Sequence, residues 1–324
     1  MSNNANSIAV LTSGGDAPGM NAAVRAVVRA AINRNFKVYG VMRGYNGLLN
    51  GDVYEMNLRS VSDIINRGGT ILYTARSEEF PTPQGIQKAA DFCRSLGVKG
   101  VVVIGGDGSL RGAQVLSNAG IPCVGIPGTI DNDLACSEYT IGFDTAMNTA
   151  LEMVDRIRDT AQSHDRCSVV EVMGRHCGDI ALQTGIACGA TSILVPEKPT
   201  DLDAMVIDKI LNTKATGKKH FIVVVAEGVG GTEKIAKYIE EKTGIESRAT
   251  ILGHVQRGGC PTLRDRVVAS AMGHHAVELL SKNIGNRVCA MQNGKIVDMD
   301  INEALAMDRV FDEELYNIAM DVSI

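Results

Sequence analysis

The sequence contains no tryptophan among its 324 residues, and only 4% of the residues are aromatic. Such a chain offers few ring faces on which nucleic-acid bases stack. Basic charge is not in excess either, because 32 Lys and Arg stand against 37 Asp and Glu, a formal charge of −5. That charge repels nucleic acid and anionic membrane surfaces. We therefore expect no nucleic-acid partner and no membrane partner.

Long apolar runs and paired cysteines are also missing. No run approaches the roughly 20 residues that a membrane-spanning helix needs, and residues 1–7 lack the basic and apolar regions of a signal peptide. We therefore expect a cytoplasmic protein.

The eight cysteines, between Cys93 and Cys289, form no CxxC pair and no zinc-finger spacing. This scatter predicts reduced core thiols rather than disulfides or a metal site.

Short β-branched runs alternate with amphipathic segments, in a chain that has 35 glycines. Eight runs predict buried strands: residues 8–11, 37–41, 100–104, 121–126, 167–172, 191–195, 221–226 and 287–291. Residues 144–160 predict an amphipathic helix with Glu152 and Arg156 as an i,i+4 pair. This alternation predicts an α/β fold with mainly parallel sheets. So many strands exceed one small unit, so we expect two units, the second beginning near Asp144, with the ligand in a cleft between them.

Ligands of open α/β sheets bind beyond the carboxyl ends of the strands, and two glycine loops stand there. Paired glycines in residues 12–21 precede a helix, which brings backbone N–H groups to an anion. The loop matches neither the nucleoside-triphosphate P-loop nor the dinucleotide fingerprint, so a tight turn remains an alternative. Residues 105–109 hold Asp107 among glycines. Because its carboxylate repels phosphate unless Mg²⁺ bridges them, Asp107 is the candidate metal ligand, with a turn or cap role as the alternative.

A third loop, residues 125–133, contains Asp131 and Asp133. In an extended segment residues i and i+2 share a face, so the two carboxylates are expected to point together. Crowding then raises the proton affinity of one of them, which would allow an acid to accept a proton from a hydroxyl. An Asx-rich turn is the alternative.

Five arginines stand near predicted strand or loop ends: Arg76, Arg166, Arg175, Arg248 and Arg257. Arginine forks match phosphate oxygens, so the set indicates a ligand with more than one phosphate group. Any one of them alone is more often a solvated charge, and His254 alone is more often structural. The pair His274 and His275 and residues 218–220 are either solvated faces or a second anion site.

Five motifs occur in the order found in bacterial ATP-dependent 6-phosphofructokinases, which the chain resembles from about residue 7 to its end. They are TSGGDAPGMNAAVR (12–25), IGGDGS (104–109), PGTIDND (127–133), EVMGRHCGD (171–179) and LGHVQRGG (252–259). The resemblance implies two Rossmann-like α/β/α domains with a cleft active site, in a homotetramer. Residues 1–142 plus about 258–304 would form the ATP-binding domain, and residues 143–257 plus about 305–324 the fructose 6-phosphate-binding domain.

The resemblance implies transfer of the ATP γ-phosphoryl group to the 1-hydroxyl of fructose 6-phosphate, with Mg²⁺ on Asp107. Asp131 resembles the general base, with Thr129 and Asp133 beside it, and Arg76 and Arg175 would stabilise the moving phosphoryl group. The ATP contacts implied are Gly15, Tyr45, Arg76, Ser77, Gly106, Asp107, Gly108 and Ser109. The sugar-phosphate contacts implied are Thr129, Ile130, Asp131, Met173, Gly174, Arg175, Glu227, His254, Val255, Gln256 and Arg257, with Arg166 and Arg248 from a neighbouring subunit. A monomer would then be nearly inactive.

Two glycines resemble the ATP-dependent branch of the family. Gly108 and Gly128 stand where pyrophosphate-dependent members typically carry Asp and Lys. A glycine beside Asp107 leaves room for the α-phosphate of a nucleotide, so ATP is the expected donor. Use of pyrophosphate is the alternative.

The regulatory pocket matches the family less well. Arg25, Arg29, Arg158, Lys218 and Lys219, with His220, fall on positions that bind ADP or phosphoenolpyruvate in family members. Leu58, Thr191 and Thr216 replace two basic residues and one acidic residue there. We therefore expect a weakened allosteric response.

Two further readings differ in class. A nucleotide- or sugar-phosphate-binding regulator would have no need of the base Asp131. A related kinase would act on another sugar phosphate or on a lipid or nucleoside. The phosphate-binding set Arg166, Arg248, His254 and Arg257 argues against this alternative, because it has a use only if the acceptor already carries a phosphate.

Overall fold

The computed structural model describes residues 6–323, so residues 1–5 and residue 324 lie outside the described part. Eleven strands are formed within it: β1 (Ser7–Ser13), β2 (Lys37–Val41), β3 (Val53–Met56), β4 (Val98–Gly105), β5 (Cys123–Pro127), β6 (Cys167–Val172), β7 (Ser192–Leu194), β8 (Phe221–Ala226), β9 (Ser247–Ile251), β10 (Arg287–Gln292) and β11 (Lys295–Asp300). Most of them pair in parallel, which confirms the predicted α/β fold class.

Helices follow most of the strands, as parallel pairing requires. In the described residues they are α1 (Met20–Ile32), α2 (Tyr45–Asn50), α3 (Pro83–Leu96), α4 (Asp107–Asn118), α5 (Phe143–Ser163), α6 (Asp179–Ala187), α7 (Asp208–Ala215), α8 (Thr232–Thr243), α9 (Leu263–Ser281), α10 (Ile301–Ala306) and α11 (Glu313–Val322). Among residues 6–323, no helix combines the length and the apolar character that crossing a bilayer requires.

The chain divides into two compact units. The first, called unit 1 here, contains the residues up to Ile130, Leu134–Thr145 and Arg257–Arg309. Its seven-stranded sheet has the order β11-β10-β5-β4-β1-β2-β3. The central strands β1 and β4 are buried along almost their whole length, with apolar side chains such as Leu11 and Val103 in the core. The carboxyl ends of β1, β4 and β5 carry the three loops that the sequence singles out.

The second unit, unit 2, contains Asp131–Asp133, Ala146–Gln256 and the segment from Val310. Its four-stranded sheet has the order β7-β8-β6-β9, and all its pairs are parallel. Every residue of the interior strand β8 is buried, as expected for a strand that helices cover on both faces. The sheet places the loops after β6 and β8 side by side.

Three strands differ from the sequence-based expectation, since β3, β9 and β11 were not among the predicted runs. β3 and β11 are antiparallel edge strands, paired with β2 and β10, and all three are partly exposed. A half-exposed edge strand needs no continuous apolar run, so it lacks that signal. β5 begins at Cys123 rather than at residue 121, because Pro122 has no N–H to donate to a ladder.

The predicted core location holds for all but one of the cysteines. No disulfide links the eight cysteines, all of which lie in the described part, and seven of them are buried. Burial raises the pKa of Cys93, Cys123 and Cys167 to about 12, which leaves these thiols protonated near neutral pH. The exception to the expected core location is Cys260, which is exposed.

Candidate active site

The first glycine loop connects β1 to α1 in unit 1. Gly14 and Gly19 have φ angles of 84° and 106°, a region in which other residues are strained. At Gly15 an added Cβ would lie 2.5 Å from Nη1 of Arg257, and the same nitrogen donates to the carbonyl oxygen of Asp16 at 3.2 Å. The loop therefore carries a guanidinium against its backbone, an arrangement suited to an anion. Whether Arg257 holds the sugar 6-phosphate stays a prediction.

Asn21, at the start of α1, is a structural residue that sequence reasoning missed. It is 1% exposed, and its side-chain amide donates to the carbonyl oxygens of Arg67 and Gly68 at 3.0 and 3.2 Å. Its Oδ1 accepts from the N–H of Ile71 at 2.8 Å. Asn21 thus fixes the segment that leads to Arg76. An asparagine among the apolar residues of the first turn was the available signal, because asparagine is a weak helix former.

The second loop connects β4 to α4, and Asp107 is the first residue of that helix. Its Oδ2 accepts from Nε of Arg111 at 3.0 Å, and its side chain is 37% exposed. A Cβ added at Gly108 would meet no atom within 4 Å. The loop therefore presents a carboxylate next to open space at a helix N-terminus, where the helix dipole favours phosphate.

Tyr45 supports this loop from the interior of unit 1. Its hydroxyl donates to the carbonyl oxygen of Ser109 at 2.6 Å, and its ring stacks on Phe80 with centroids 3.9 Å apart. The ring also fills the space beside Gly112, where a Cβ would lie 2.5 Å from it. Tyr45 is only 6% exposed, which leaves little of its ring for a nucleotide. Its predicted contact with ATP is untested, whereas its support of Ser109 is direct.

The second loop can bind a divalent metal ion only if a polyphosphate supplies further oxygen ligands. Within residues 6–323, no group of three or more His, Cys, Asp and Glu side chains is arranged to hold a metal ion. Mg²⁺ is commonly bound through one or two carboxylates together with phosphate oxygens and water. The single carboxylate of Asp107 suits an ion that arrives with a polyphosphate.

The third loop brings two carboxylates to one cation. In unit 2, Oδ2 of Asp131 lies 3.7 Å from Nε of Arg175, and Oδ2 of Asp133 lies 3.4 Å from Nη1 of the same side chain. The side chain of Asp131 is 4% exposed and that of Arg175 is 59% exposed. The expected convergence of the two acids is therefore present. It does not come from an extended segment, however, because Asn132 has a φ of 50° and bends the chain.

Asn132 tolerates this left-handed conformation better than most residues do. Its Nδ2 donates to Oδ2 of Asp179 at 3.0 Å, which ties the bend to the first turn of α6. The bend, rather than the alternation of a strand, turns both carboxylates toward Arg175.

Glu227 holds the turn that presents Arg175. The N–H groups of Gly174 and Arg175 both donate to Oε1 of Glu227, at 3.1 and 2.5 Å. Both residues have positive φ angles, 140° and 55°, and a Cβ at Gly174 would lie 2.5 Å from the carbonyl oxygen of Cys177. A conformation this unusual persists only when its surroundings hold it. Glu227, predicted as a sugar contact, therefore also positions the arginine.

The loop after β9 ends in a short 3-10 helix, Gly253–Arg257. Oε1 of the buried Gln256 accepts from the N–H of Met173 at 2.8 Å, so that side chain joins two loops. Val255 is 54% exposed, and His254 is exposed beside it. Both side chains are accessible, and their contacts with the sugar phosphate stay a prediction.

Arg166 and Arg248 lie at the other end of the unit 2 sheet. Arg166 precedes β6 and Arg248 is near the start of β9, whereas Arg175 follows the carboxyl end of β6. At roughly 3.3 Å per residue this separates them from the Arg175 turn by about 20 Å. Both ion-pair with Glu246, at 2.7 and 2.8 Å, and these arginines lower the pKa of Glu246. The predicted phosphate-binding arginines are therefore not all close together within one chain.

Unit 2 gathers three of the predicted effector residues. Burial lowers the pKa of Lys218, and the nearby charge of Arg158 lowers it further. Burial also lowers the pKa of His220, and the charges of Lys218 and Arg158 add to this effect. Lys219 instead faces Asp165 at 3.9 Å. A cluster of cations that repel one another is suited to an anion. Thr191, which is predicted to replace an acidic residue of this pocket, is 3% exposed in the single chain.

The remaining predicted effector residues, Arg25 and Arg29, share one face of α1 in unit 1. Burial, followed by Arg29, lowers the pKa of Arg25. Leu58 is 47% exposed in the same unit, and Thr216 of unit 2 is exposed.

Residues 7–280 match the family model described as phosphofructokinase. The chain belongs to the phosphofructokinase family. It is 62% identical to an ATP-dependent 6-phosphofructokinase of Clostridium botulinum strain Hall, over 98% of this chain and 99% of the relative. A relative of the same description from Clostridium tetani is 59% identical, with the same coverage.

Solved structures agree on the fold. The phosphofructokinase of Saccharomyces cerevisiae superposes with a TM-score of 0.89 at 34% identity; the match covers 98% of this chain and 46% of the longer yeast chain. A pyrophosphate-dependent phosphofructokinase from Marinobacter aquaeolei gives a TM-score of 0.84 at 21% identity, covering 95% of this chain and 86% of that one. The second likeness shows a shared fold and nothing about the phosphoryl donor.

Proposed function

We propose that this protein transfers the γ-phosphoryl group of ATP to the 1-hydroxyl of fructose 6-phosphate, giving fructose 1,6-bisphosphate and ADP. The supporting observation is the buried Asp131 turned toward Arg175, in a chain 62% identical to relatives described as ATP-dependent 6-phosphofructokinases. A buried carboxylate beside a cation is equipped both to accept a proton and to sit close to a moving phosphoryl group.

Asp131 is the general base. Its carboxylate accepts the proton of the 1-hydroxyl while that oxygen forms a bond to the γ-phosphorus and the bond from the γ-phosphorus to the β–γ bridging oxygen breaks. Arg175, held by Glu227, and Arg76 stabilise the charge on the transferring group. Thr129 and Asp133 orient the sugar hydroxyl. Most of this work is positioning and electrostatics, which dominate phosphoryl transfer.

Gly15, Tyr45, Ser77 and the residues from Gly106 to Ser109 form the nucleotide site, and Asp107 holds Mg²⁺. The ion, when bound, neutralises charge on the β- and γ-phosphates. The rest of the site belongs to the sugar phosphate: Ile130, Met173, Gly174, Glu227, His254, Val255, Gln256 and Arg257, with Arg166 and Arg248 from a neighbouring copy.

Gly108 supports ATP as the donor, because the open space beside it would be filled by the aspartate typical of pyrophosphate-dependent members. Gly128 is different. A Cβ there would lie 3.1 Å from Ile104 and 3.3 Å from Met20, so a larger residue would require these side chains to shift slightly.

The test is formation of fructose 1,6-bisphosphate by the purified protein, with fructose 6-phosphate and Mg²⁺ and with either ATP or pyrophosphate. We expect product with ATP alone, and none after chelation of Mg²⁺. Product with pyrophosphate alone would overturn the donor assignment. No product with either donor would overturn the function and favour a binding protein of the same fold.

We also propose that the protein is a cytoplasmic homotetramer. The placement of Arg166 and Arg248 at the far end of their sheet supports an active site that is shared between subunits. Mixing Asp131→Asn and Arg248→Ala subunits tests this, because a hybrid places an intact Asp131 beside an intact Arg248 of the partner. We expect the mixture to regain activity that neither variant has. Mixtures with no gain would place both residues in one subunit's site.

We further propose that the effector residues, Arg25, Arg29, Arg158, Lys218, Lys219 and His220, bind ADP or phosphoenolpyruvate, with a response weakened by Leu58, Thr191 and Thr216. Strong inhibition by phosphoenolpyruvate that ADP reverses would contradict the weakened response.

A further inference from the structure

A buried acidic residue that is not among the predicted site residues lies near the start of α9. Asp265 is 0% exposed, although it is the third residue of a helix whose N-cap is Thr262. An acid at this helix position ordinarily turns back to the N–H of the N-cap residue. Here that N–H donates instead to the hydroxyl of Thr145, at 3.0 Å. Helix capping therefore does not explain this carboxylate.

Both oxygens of Asp265 accept hydrogen bonds from residues 139–145, a segment called the strap here. Oδ1 accepts from the Tyr139 hydroxyl at 2.5 Å and from the Gly142 N–H at 2.7 Å. Oδ2 accepts from the N–H and the hydroxyl of Thr145. An ionised carboxylate only accepts and has about four lone-pair sites, so this set of donors saturates it. The match of donors to acceptors shows that the strap is built around this charge.

Other features of unit 1 keep the strap in one conformation. Burial, followed by the Asp265 charge, raises the pKa of Tyr139, so its hydroxyl remains a donor. The guanidinium of Arg264 lies 4.5 Å from the Tyr139 ring centroid. Gly142 has a φ of 103°, and a Cβ there would lie 2.7 Å from Ala17. The strap therefore also packs on the first glycine loop.

The strap in turn holds the residues that lead into Asp131. The Thr140 hydroxyl donates to the carbonyl oxygen of Thr129 at 2.7 Å, and the N–H of Ile141 donates to the carbonyl oxygen of Pro127 at 3.0 Å. Gly128 and Ile141 also form a parallel bridge. The backbone shortly before Asp131 is thus hydrogen-bonded to the strap, and also to β4 through the Gly128 N–H and the carbonyl oxygen of Gly105 at 3.0 Å.

We propose that Asp265 is a positioning residue for phosphoryl transfer: its carboxylate fixes the strap, and the strap fixes the backbone that places Asp131. This inference rests on the proposed function. Asp265 itself contacts neither ATP nor fructose 6-phosphate and accepts no proton in the reaction. Its effect is on geometry, and a displacement of about 1 Å in a catalytic group can cost about 10²-fold in rate.

The experiment compares Asp265→Asn with a matched control, Asp298→Asn. Asp298 also joins α9 to another element, through His275 at 2.8 Å and Arg287 at 2.6 Å, but it has no contact with the strap. For each variant we would measure kcat, KM for fructose 6-phosphate, the urea unfolding midpoint, and amide hydrogen exchange of residues 139–145. The milder Tyr139→Phe removes one donor and serves if Asp265→Asn does not fold.

We expect Asp265→Asn to lower kcat by about 10²-fold, with KM within about 3-fold, and to speed exchange in the strap. Tyr139→Phe should lower kcat by a smaller factor in the same way. Asp298→Asn should lower the unfolding midpoint while kcat and strap exchange stay near those of the unsubstituted protein. Equal kcat values for the Asp265 and Asp298 variants, or unchanged strap exchange, would overturn this inference alone. An unsubstituted protein without activity would overturn the proposed function first.

Discussion

Replacing Asp131 with asparagine removes the charge of the buried carboxylate and keeps its size. General bases typically contribute 10²- to 10⁴-fold to the rate, which is about 3 to 5 kcal/mol of activation free energy. We therefore expect kcat of Asp131→Asn to fall by at least about 10²-fold. The free energy of unfolding should change far less. Arg175, 3.7 Å away, is 59% exposed, and an ion pair with so exposed a partner contributes about 0 to 1 kcal/mol.

Asp133→Asn is the matched comparison, because Asp133 faces the same guanidinium at 3.4 Å. If Asp131 acts only by holding Arg175, the two variants should lose similar activity. If it accepts the proton, Asp131→Asn should lose considerably more. The assay couples fructose 1,6-bisphosphate formation to a saturating excess of aldolase, with urea unfolding run in parallel. A kcat for Asp131→Asn within a few-fold of the unsubstituted protein would refute the general-base role.

Further expectations follow from other sites. Gly108→Asp extends into open space, so its unfolding midpoint should not change, while kcat/KM for ATP should fall at least about 10-fold; unchanged ATP kinetics would contradict the donor argument. Glu227→Ala leaves the N–H groups of Gly174 and Arg175 without their acceptor, so it should raise KM for fructose 6-phosphate and lower the free energy of unfolding by about 1 to 3 kcal/mol; an unaltered KM would remove its positioning role. A thiol reagent at pH 7 should label Cys260 alone in the native protein and all eight cysteines in denaturant, as counted by mass spectrometry. Because the folded state lowers the pKa of His220, the unfolded chain takes up a proton first as pH falls, so this group should reduce stability as pH drops through about 6.5; substitution by asparagine should remove that part of the pH dependence of urea unfolding.

The sequence-based predictions were most successful where the signal is local. The runs at residues 167–172 and 221–226 coincide with β6 and β8, because buried parallel strands are rich in β-branched residues. The run at residues 37–41 coincides with β2. The helix predicted at residues 144–160 lies inside α5, and the Glu152–Arg156 pair is present at 2.7 Å. The partly exposed edge strands β3, β9 and β11 lacked that signal and were missed.

The candidate site was predicted by residue type and only in part by geometry. That Asp131 and Asp133 turn the same way was expected, but the reason is the left-handed Asn132 and its bond to Asp179. The separation of Arg166 from Arg175 follows from which end of β6 each one occupies. A list of residues near strand ends does not reveal this unless the direction of each strand is considered.

By itself, the sequence determined the chemistry available to this protein: glycine loops after strands, one acid among glycines, a pair of acids and a set of arginines. These are local properties, because residue type and spacing along the chain set backbone freedom and charge. Only the tertiary structure decided which groups support them. Asp265 meets the strap across 120 to 126 residues of chain, and Asn21 meets residues 67–71 across about 50. Such partners become neighbours only when packed elements bring them together, so spacing along the sequence carries no trace of them.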